Sequence, residues 1–186
     1  PNPKHAGRAR PILEKAGVEV EAGVYRKECE ALITPFRTWI LQGRPHVTLK
    51  LALTLDGRIA DLKGYSRWIT GEAARKEVHR LRQRVDAVMV GAGTVRADNP
   101  TLLPRFSRTP PVLRVVVAGV KGLPASAIVL HDSDAPRTIL AVPASVAKRQ
   151  REAWSRGGAS VWTFSTSCGR VPLRALMQRL GREGLL

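Results

Sequence analysis

The sequence predicts an α/β fold, strands alternating with helices around a largely parallel sheet, and three observations carry that prediction. First, the short apolar runs Ala87 to Val90, Leu113 to Val117, Thr138 to Val142 and Val161 to Phe164 have strand length. Second, the stretches between and beyond them have helical spacing. Gly71 to Arg84 places Ala74, Val78, Leu81 and Val85 on one face, and Pro172 to Arg182 does the same with Leu173, Leu176, Met177 and Leu180. A helix is also expected over Pro143 to Arg156, with Pro143 at its start and Gly157-Gly158 at its end. Third, Val47 to Leu55 alternates: Val47, Leu49, Leu51, Leu53 and Leu55 have one parity, Thr48, Lys50, Ala52 and Thr54 the other. That is a strand with one apolar face and one polar face that can meet a ligand.

Upstream, Pro1-Asn2-Pro3-Lys4 is a turn-forming run, followed by a short helix over Pro11 to Ala16 stopped at Gly17 and a short strand Val18 to Val20. A helix over Arg26 to Ile33 ends before Pro35, and Phe36, Trp39 and Ile40 share a further helical face. After the alternating strand, Asp56-Gly57-Arg58 has turn chemistry. The chain then reaches Trp68, Ile69 and a Thr70 able to cap the helix that follows, with Glu72 in its positive first turn. Arg75, His79 and Arg82 form a second stripe on that helix. No internal repeat is visible.

With 186 residues, 44% of them hydrophobic, the chain can bury one domain core and carry an appendage. No apolar run approaches the roughly 18 residues of a membrane helix, and no export signal is visible, so the reading is cytoplasmic. Cys29 and Cys168 form no CxxC pair, which argues against a disulfide framework or a zinc knuckle. The net charge of +16 attracts anions of any kind. Its arginines are spread along the chain, and the aromatic content of 5% is low for a base-stacking platform. A basic nucleic-acid-binding module stays open as an alternative, and phosphorylated metabolites fit the charge equally well.

The alternating strand, the Asp56-Gly57-Arg58 turn, Ser66-Arg67-Trp68-Ile69-Thr70, the arginine helix and Gly91-Ala92-Gly93-Thr94-Val95-Arg96-Ala97-Asp98 follow one another in an order that resembles the reductase domain of the bifunctional riboflavin-biosynthesis deaminase and reductase family. The likeness is closest from Gly43 to Arg105 and reaches back to Pro1. It implies a dihydrofolate-reductase-like central mixed sheet flanked by helices, incomplete at the C-terminus. Residues 1–43 would be a remnant of the deaminase domain and its linker, and 44–186 the reductase domain. Zinc deamination needs a His-x-Glu and a Pro-Cys-x-x-Cys. His5, His46, His79 and His131 are followed two places on by Gly7, Thr48, Leu81 and Ser133, so no metal site is expected.

The implied activity is NADPH-dependent reduction of 5-amino-6-(5-phosphoribosylamino)uracil to its 5-phosphoribitylamino product, by a homo-oligomer acting on a phosphorylated ribosylaminopyrimidine. A related pteridine or pyrimidine reductase of the same fold is the enzymatic alternative. Ala52, Trp68, Thr94 and Asp98 match cofactor positions; Ser66, Arg82, Leu102 and Arg105 match substrate positions. The two arginines suit the dianionic 5-phosphate. Lys50 and Asp56, on or just past the ligand-facing strand, are candidates for polarising the reacting sugar carbon or holding its hydroxyls. Five of these also have a structural reading: Trp68 as core, Asp98 and Asp56 as turn residues, Lys50 on an exposed face, Arg82 on a solvated helix. Arg96 stands where a dinucleotide fingerprint requires glycine. Ala118-Gly119 replaces the family's Asp-Ser, leaving the choice between NADPH and NADH open, with Lys121 a possible electrostatic substitute.

A last expectation concerns the ends. Leu185-Leu186 reads as the first residues of a strand, and no glycine-rich loop occurs in residues 106–186. The chain is therefore expected to be a truncated piece with an open, aggregation-prone sheet edge, weak NADPH binding and no competent reductase activity alone.

Overall fold

A computed structural model describes residues 2–66, 68–105 and 112–186. In chain order the elements are α1 (Ala9–Lys15), α2 (Arg26–Leu32), α3 (Thr34–Gln42), α4 (Glu72–Arg84), β1 (Ala87–Gly91), α5 (Ala92–Asp98), β2 (Leu113–Val117), β3 (Thr138–Pro143), α6 (Lys148–Ser155), β4 (Ser160–Phe164) and α7 (Leu173–Arg182). Short 3-10 turns at Ile128–Leu130 and Ala135–Arg137 lie between β2 and β3. The chain divides into two compact units, Leu49–Leu176 and Pro1–Thr48 with Met177–Leu186. Among the described residues no helix is long and apolar enough to cross a membrane.

The larger unit is built on a parallel four-stranded sheet in the order β1-β2-β3-β4. Burial follows that order. Every residue of β3 is buried, as are Arg114, Val115 and Val116 of β2, whereas β1 and β4 are only partly covered. Inner strands of a parallel sheet are covered on both faces, which is why their sequences are continuously apolar and do not alternate. Val116, Leu140 and Val142 pack in one core with Val95, Leu130 and Trp154.

Arg114 interrupts that apolar run and is wholly buried. Its five N–H groups are all engaged. Nη1 and Nη2 grip both Asp132 carboxylate oxygens at 2.6 and 2.7 Å. Nε donates to Thr138 Oγ1 at 2.9 Å, and the remaining bonds go to the carbonyls of Thr101 and Val129, each at 3.2 Å. A buried guanidinium is tolerated only when paired and fully hydrogen-bonded, and here it ties β2, β3 and the chain before Arg105 together.

Five local expectations are corrected. No strand forms over Val47 to Leu55: Leu49 is 77% and Leu53 42% exposed. Alternation selects a face, but a strand also needs a neighbouring ladder, and here Thr54 and Arg58 close on each other through a 3.0 Å backbone bond. Val18 to Val20 is likewise no strand, because Val18 N–H turns back to Leu13 O at the end of α1. Pro143 does not open a helix; it ends β3, where it needs no N–H, and α6 starts at Lys148. Thr70 does not cap α4. Gly71 holds the N-cap, and the Thr70 carbonyl accepts from Arg75 Nη1 at 2.7 Å. Leu185-Leu186 starts no strand: Leu185 is buried and its N–H bonds Leu180 O at 3.2 Å.

In the smaller unit the last turn of α7 is held against α3. Trp39 Nε1 donates to Gly181 O at 2.7 Å, and a Cβ on Gly181 would lie 2.3 Å from Gly43 O, so only glycine permits this approach.

Candidate active site

The loop from Asn99 to Arg105 is fastened at alternate residues. Asn99 Oδ1 accepts Ile128 N–H at 2.9 Å, and the Thr101 carbonyl accepts from Arg114 Nη1. The Leu103 carbonyl accepts from Arg82 Nη1 at 3.1 Å, and Arg105 N–H donates to His79 Nδ1 at 3.2 Å. Between these points Leu102 adopts φ +63° and is buried in the core at 2% exposure. A left-handed leucine is uncommon and costs about 1–3 kcal/mol, so it persists only where its surroundings fix it.

The result brings Arg82 and Arg105 together at His79, although one comes from helix α4 and the other from the loop. Both guanidinium charges act on the imidazole and, after its partial burial, hold its pKa below the usual histidine value. Burial likewise lowers Arg82, which stays charged because a guanidinium is not deprotonated in proteins. Two cations converging with no acidic partner among the described residues suit a multiply charged anion. Leu102 contributes to the core under the loop.

Helix α4 orders a second part of the candidate site. Arg75, one turn before His79, lies with its guanidinium carbon 4.2 Å from the centre of the Trp68 ring. The same side chain bonds the Thr70 carbonyl, so Trp68 is a surface residue, 68% exposed, and not core. Ser66 is half-buried just before it, and Arg67 of the motif lies outside the described residues.

Thr94 and Asp98 are both exposed and lie four residues apart on α5, hence on one face. Gly91 and Gly93 border that face. Neither has a positive φ, and a Cβ on either would meet nothing within 4 Å. The protein's own packing therefore does not call for glycine at these positions, and Gly93 even weakens a helix; the open backbone leaves room for a ligand. Thr94 can bond a phosphate or ribose oxygen and Asp98 a ribose hydroxyl, so the residues fit a nucleotide cofactor. The turn role considered for Asp98 falls to Asn99, the left-handed C-cap of α5. Arg96, in place of the third glycine, donates to Gly122 O at 2.9 Å and so latches α5 to the loop after β2.

The segment before Ser66 is organised differently. Lys50 is exposed and Ala52 half-buried on chain that forms no strand. Asp56 accepts from Thr54 Oγ1 and lies 3.7 Å from Arg58 Nε, which is its turn role. Among the described residues no group of three or more His, Cys, Asp or Glu is placed to hold a metal. Ala118 is buried and Lys121 exposed.

Sequence reasoning missed two residues. His79 was visible only as part of a stripe with Arg75 and Arg82. Arg114 was legible as a charge within an apolar strand, which signals a buried pair, but Asp132 could not be named as its partner from spacing.

Residues 45–186 match the family model described as the RibD C-terminal domain. The riboflavin biosynthesis protein RibD of Bacillus amyloliquefaciens is 37% identical over 189 residues, covering 100% of this chain and 50% of that protein. That of Aquifex aeolicus is 43% identical over 142 residues, 75% of this chain and 40% of its own. Among solved structures, Acinetobacter baumannii RibD, form 1, superposes with a TM-score of 0.78 at 31% identity, covering 98% of this chain and 49% of that one. The Thermotoga maritima diaminohydroxyphosphoribosylaminopyrimidine deaminase/5-amino-6-(5-phosphoribosylamino)uracil reductase follows at 0.71 and 28% identity, over 94% and 46%. The chain thus spans about half the length of the curated relatives it matches. By the family model and these likenesses, the chain belongs to the family of the RibD C-terminal domain.

Proposed function

We propose that this chain carries the reductase function of riboflavin biosynthesis, reducing 5-amino-6-(5-phosphoribosylamino)uracil to the 5-phosphoribitylamino product with NADPH. The observation that carries the reading is the convergence of Arg82 and Arg105 at His79, a doubly cationic corner suited to the sugar 5-phosphate. The corner binds and orients the substrate by its non-reacting end, so the remote phosphate contact places the sugar for reaction. Thr94, Asp98 and the open glycine backbone bind the cofactor, and Trp68 offers a flat wall beside it. When bound, NADPH supplies the hydride for carbon 1 of the sugar. Lys50 and Asp56 are the proposed groups for polarising that carbon or holding the sugar hydroxyls; in the free chain both are solvent-facing. The enzyme acts as a homo-oligomer in the cytoplasm.

The test follows NADPH oxidation with the phosphoribosylaminopyrimidine and, separately, with dihydrofolate, using the full-length protein that contains this chain. Turnover of the first alone is expected; turnover of dihydrofolate alone would replace the substrate, and equal rates with NADH would remove the cofactor preference.

A further inference from the structure

We propose that His79 is a positioning residue for the anion corner: its unprotonated Nδ1 accepts the Arg105 backbone N–H and holds that arginine with Arg82, and protonation of the ring releases it. The inference rests on the reading of Arg82 and Arg105 as the phosphate-binding pair.

The geometry defines the imidazole's state. Nδ1 lies 3.2 Å from the Arg105 nitrogen, which has a proton to donate, so Nδ1 must present its lone pair and the neutral ring carries its proton on Nε2. An imidazolium has N–H on both nitrogens and cannot accept this bond. Among the described residues, the charged groups acting on His79 are Arg82 from its own helix and Arg105 from the loop packed against it, both cationic. Both disfavour a third positive charge, as does the ring's partial burial. The neutral form is therefore the folded protein's form at neutral pH, and the contact fails only as pH falls through a pKa lying below the ordinary histidine value.

A bond to a loop's main chain also governs what the loop presents. Leu103 O on Arg82 and Arg105 N–H on His79 are the last two fastenings of the Asn99 to Arg105 segment. Both anchors stand on one helix, three residues apart, so the spacing between the two cationic groups is set by a rigid turn of α4. Losing the second anchor leaves Arg105 free to swing while its charge is unchanged. The anion would then meet the same charge with poorer geometry, and preorganisation is what a bidentate phosphate grip depends on.

Sulfate, whose double charge does not change between pH 5.5 and 8.5 (about the working range of the histidine switch), is the probe; its affinity is measured by calorimetry on wild type, His79→Asn, His79→Leu and Arg82→Ala. The amide of Asn can place an acceptor near the Nδ1 position without titrating. Wild type should lose about fivefold in sulfate affinity as the ring protonates, the size of one hydrogen bond. This runs against the rising positive charge of the protein, which favours anions at low pH. His79→Asn should keep the neutral-pH affinity at every pH, and His79→Leu should be weak at every pH. A wild-type affinity that is flat or rises on acidification, with Asn weaker throughout, overturns the inference, because His79 would then be a bystander or a direct cationic ligand. If sulfate binds no more weakly to Arg82→Ala than to wild type, the phosphate-corner reading itself fails, whatever His79 does.

Discussion

Two stretches of the larger unit, each carrying some of the candidate site residues, are held in opposite ways. From Asn99 to Arg105 every second residue is bonded to another element of the fold, the last two of them to α4, and Leu102 is driven into the core at an unfavourable φ. From Leu49 to Ser66 the chain is fastened mainly to itself. One turn closes from Thr54 to Arg58, and a second from Asp61 to Tyr65, where Asp61 accepts the N–H groups of Lys63 and Tyr65. Leu51 and Leu55 meanwhile face solvent. A site residue in the first stretch inherits its place from the tertiary structure; one in the second inherits only a turn.

Substitutions can break or sharpen this contrast. The largest effect is expected from Asp132→Ala, which strands the buried Arg114 guanidinium and with it the Thr101 fastening. Removing one partner of a buried pair costs about 3–5 kcal/mol, to be read from the urea midpoint, and a loss under 1 kcal/mol would mean that the pair is not what fixes the loop. Next comes Leu102→Ala. Emptying a buried leucine site costs about 2–5 kcal/mol, and sulfate affinity should fall in the same variant because the loop loses its core anchor; an unchanged midpoint would take Leu102 out of the core.

Arg105→Ala is smaller and of another kind. Losing one charged contact costs about 1.5–3 kcal/mol, expected, under the proposed function, as a raised KM for the phosphorylated substrate with NADPH affinity nearly unchanged. A wild-type KM would remove Arg105 from the phosphate site. The smallest effect belongs to the other stretch: Leu53→Ser should move stability by no more than about 0.5 kcal/mol, while reducing self-association measured by light scattering. A loss above 1 kcal/mol would show that this segment is packed in solution.

His79 adds a dependence on pH whose sign follows from its neighbours. Its pKa is depressed in the folded chain, so the neutral ring is favoured there and the unfolded chain binds the extra proton. This contribution is present above the ordinary histidine pKa and is lost as pH falls through the lower, folded value. Thermal scans of wild type and His79→Asn should converge near neutrality and separate on acidification, with the asparagine variant losing less.

The α/β rhythm was legible because it rests on local regularities. Apolar strand runs, helical spacing in α4 and α7 and a glycine after the strand are each readable within a dozen residues, and β1 to β4 and α4 fall where those signals place them. The roles proposed for Thr94, Asp98, Arg82 and Arg105 came from the resemblance to the family. What the residues could not decide by themselves was partnership. Whether Val47 to Leu55 becomes a strand depends on a ladder supplied from elsewhere, and whether Arg114 is tolerable depends on Asp132 and Thr138 arriving from a later part of the chain. Likewise a histidine on a helical stripe becomes the keeper of Arg105 only once the loop folds back across α4. Pattern sets which face a residue shows; the hydrogen-bond partner on that face is a long-range fact, and only the tertiary structure decides it.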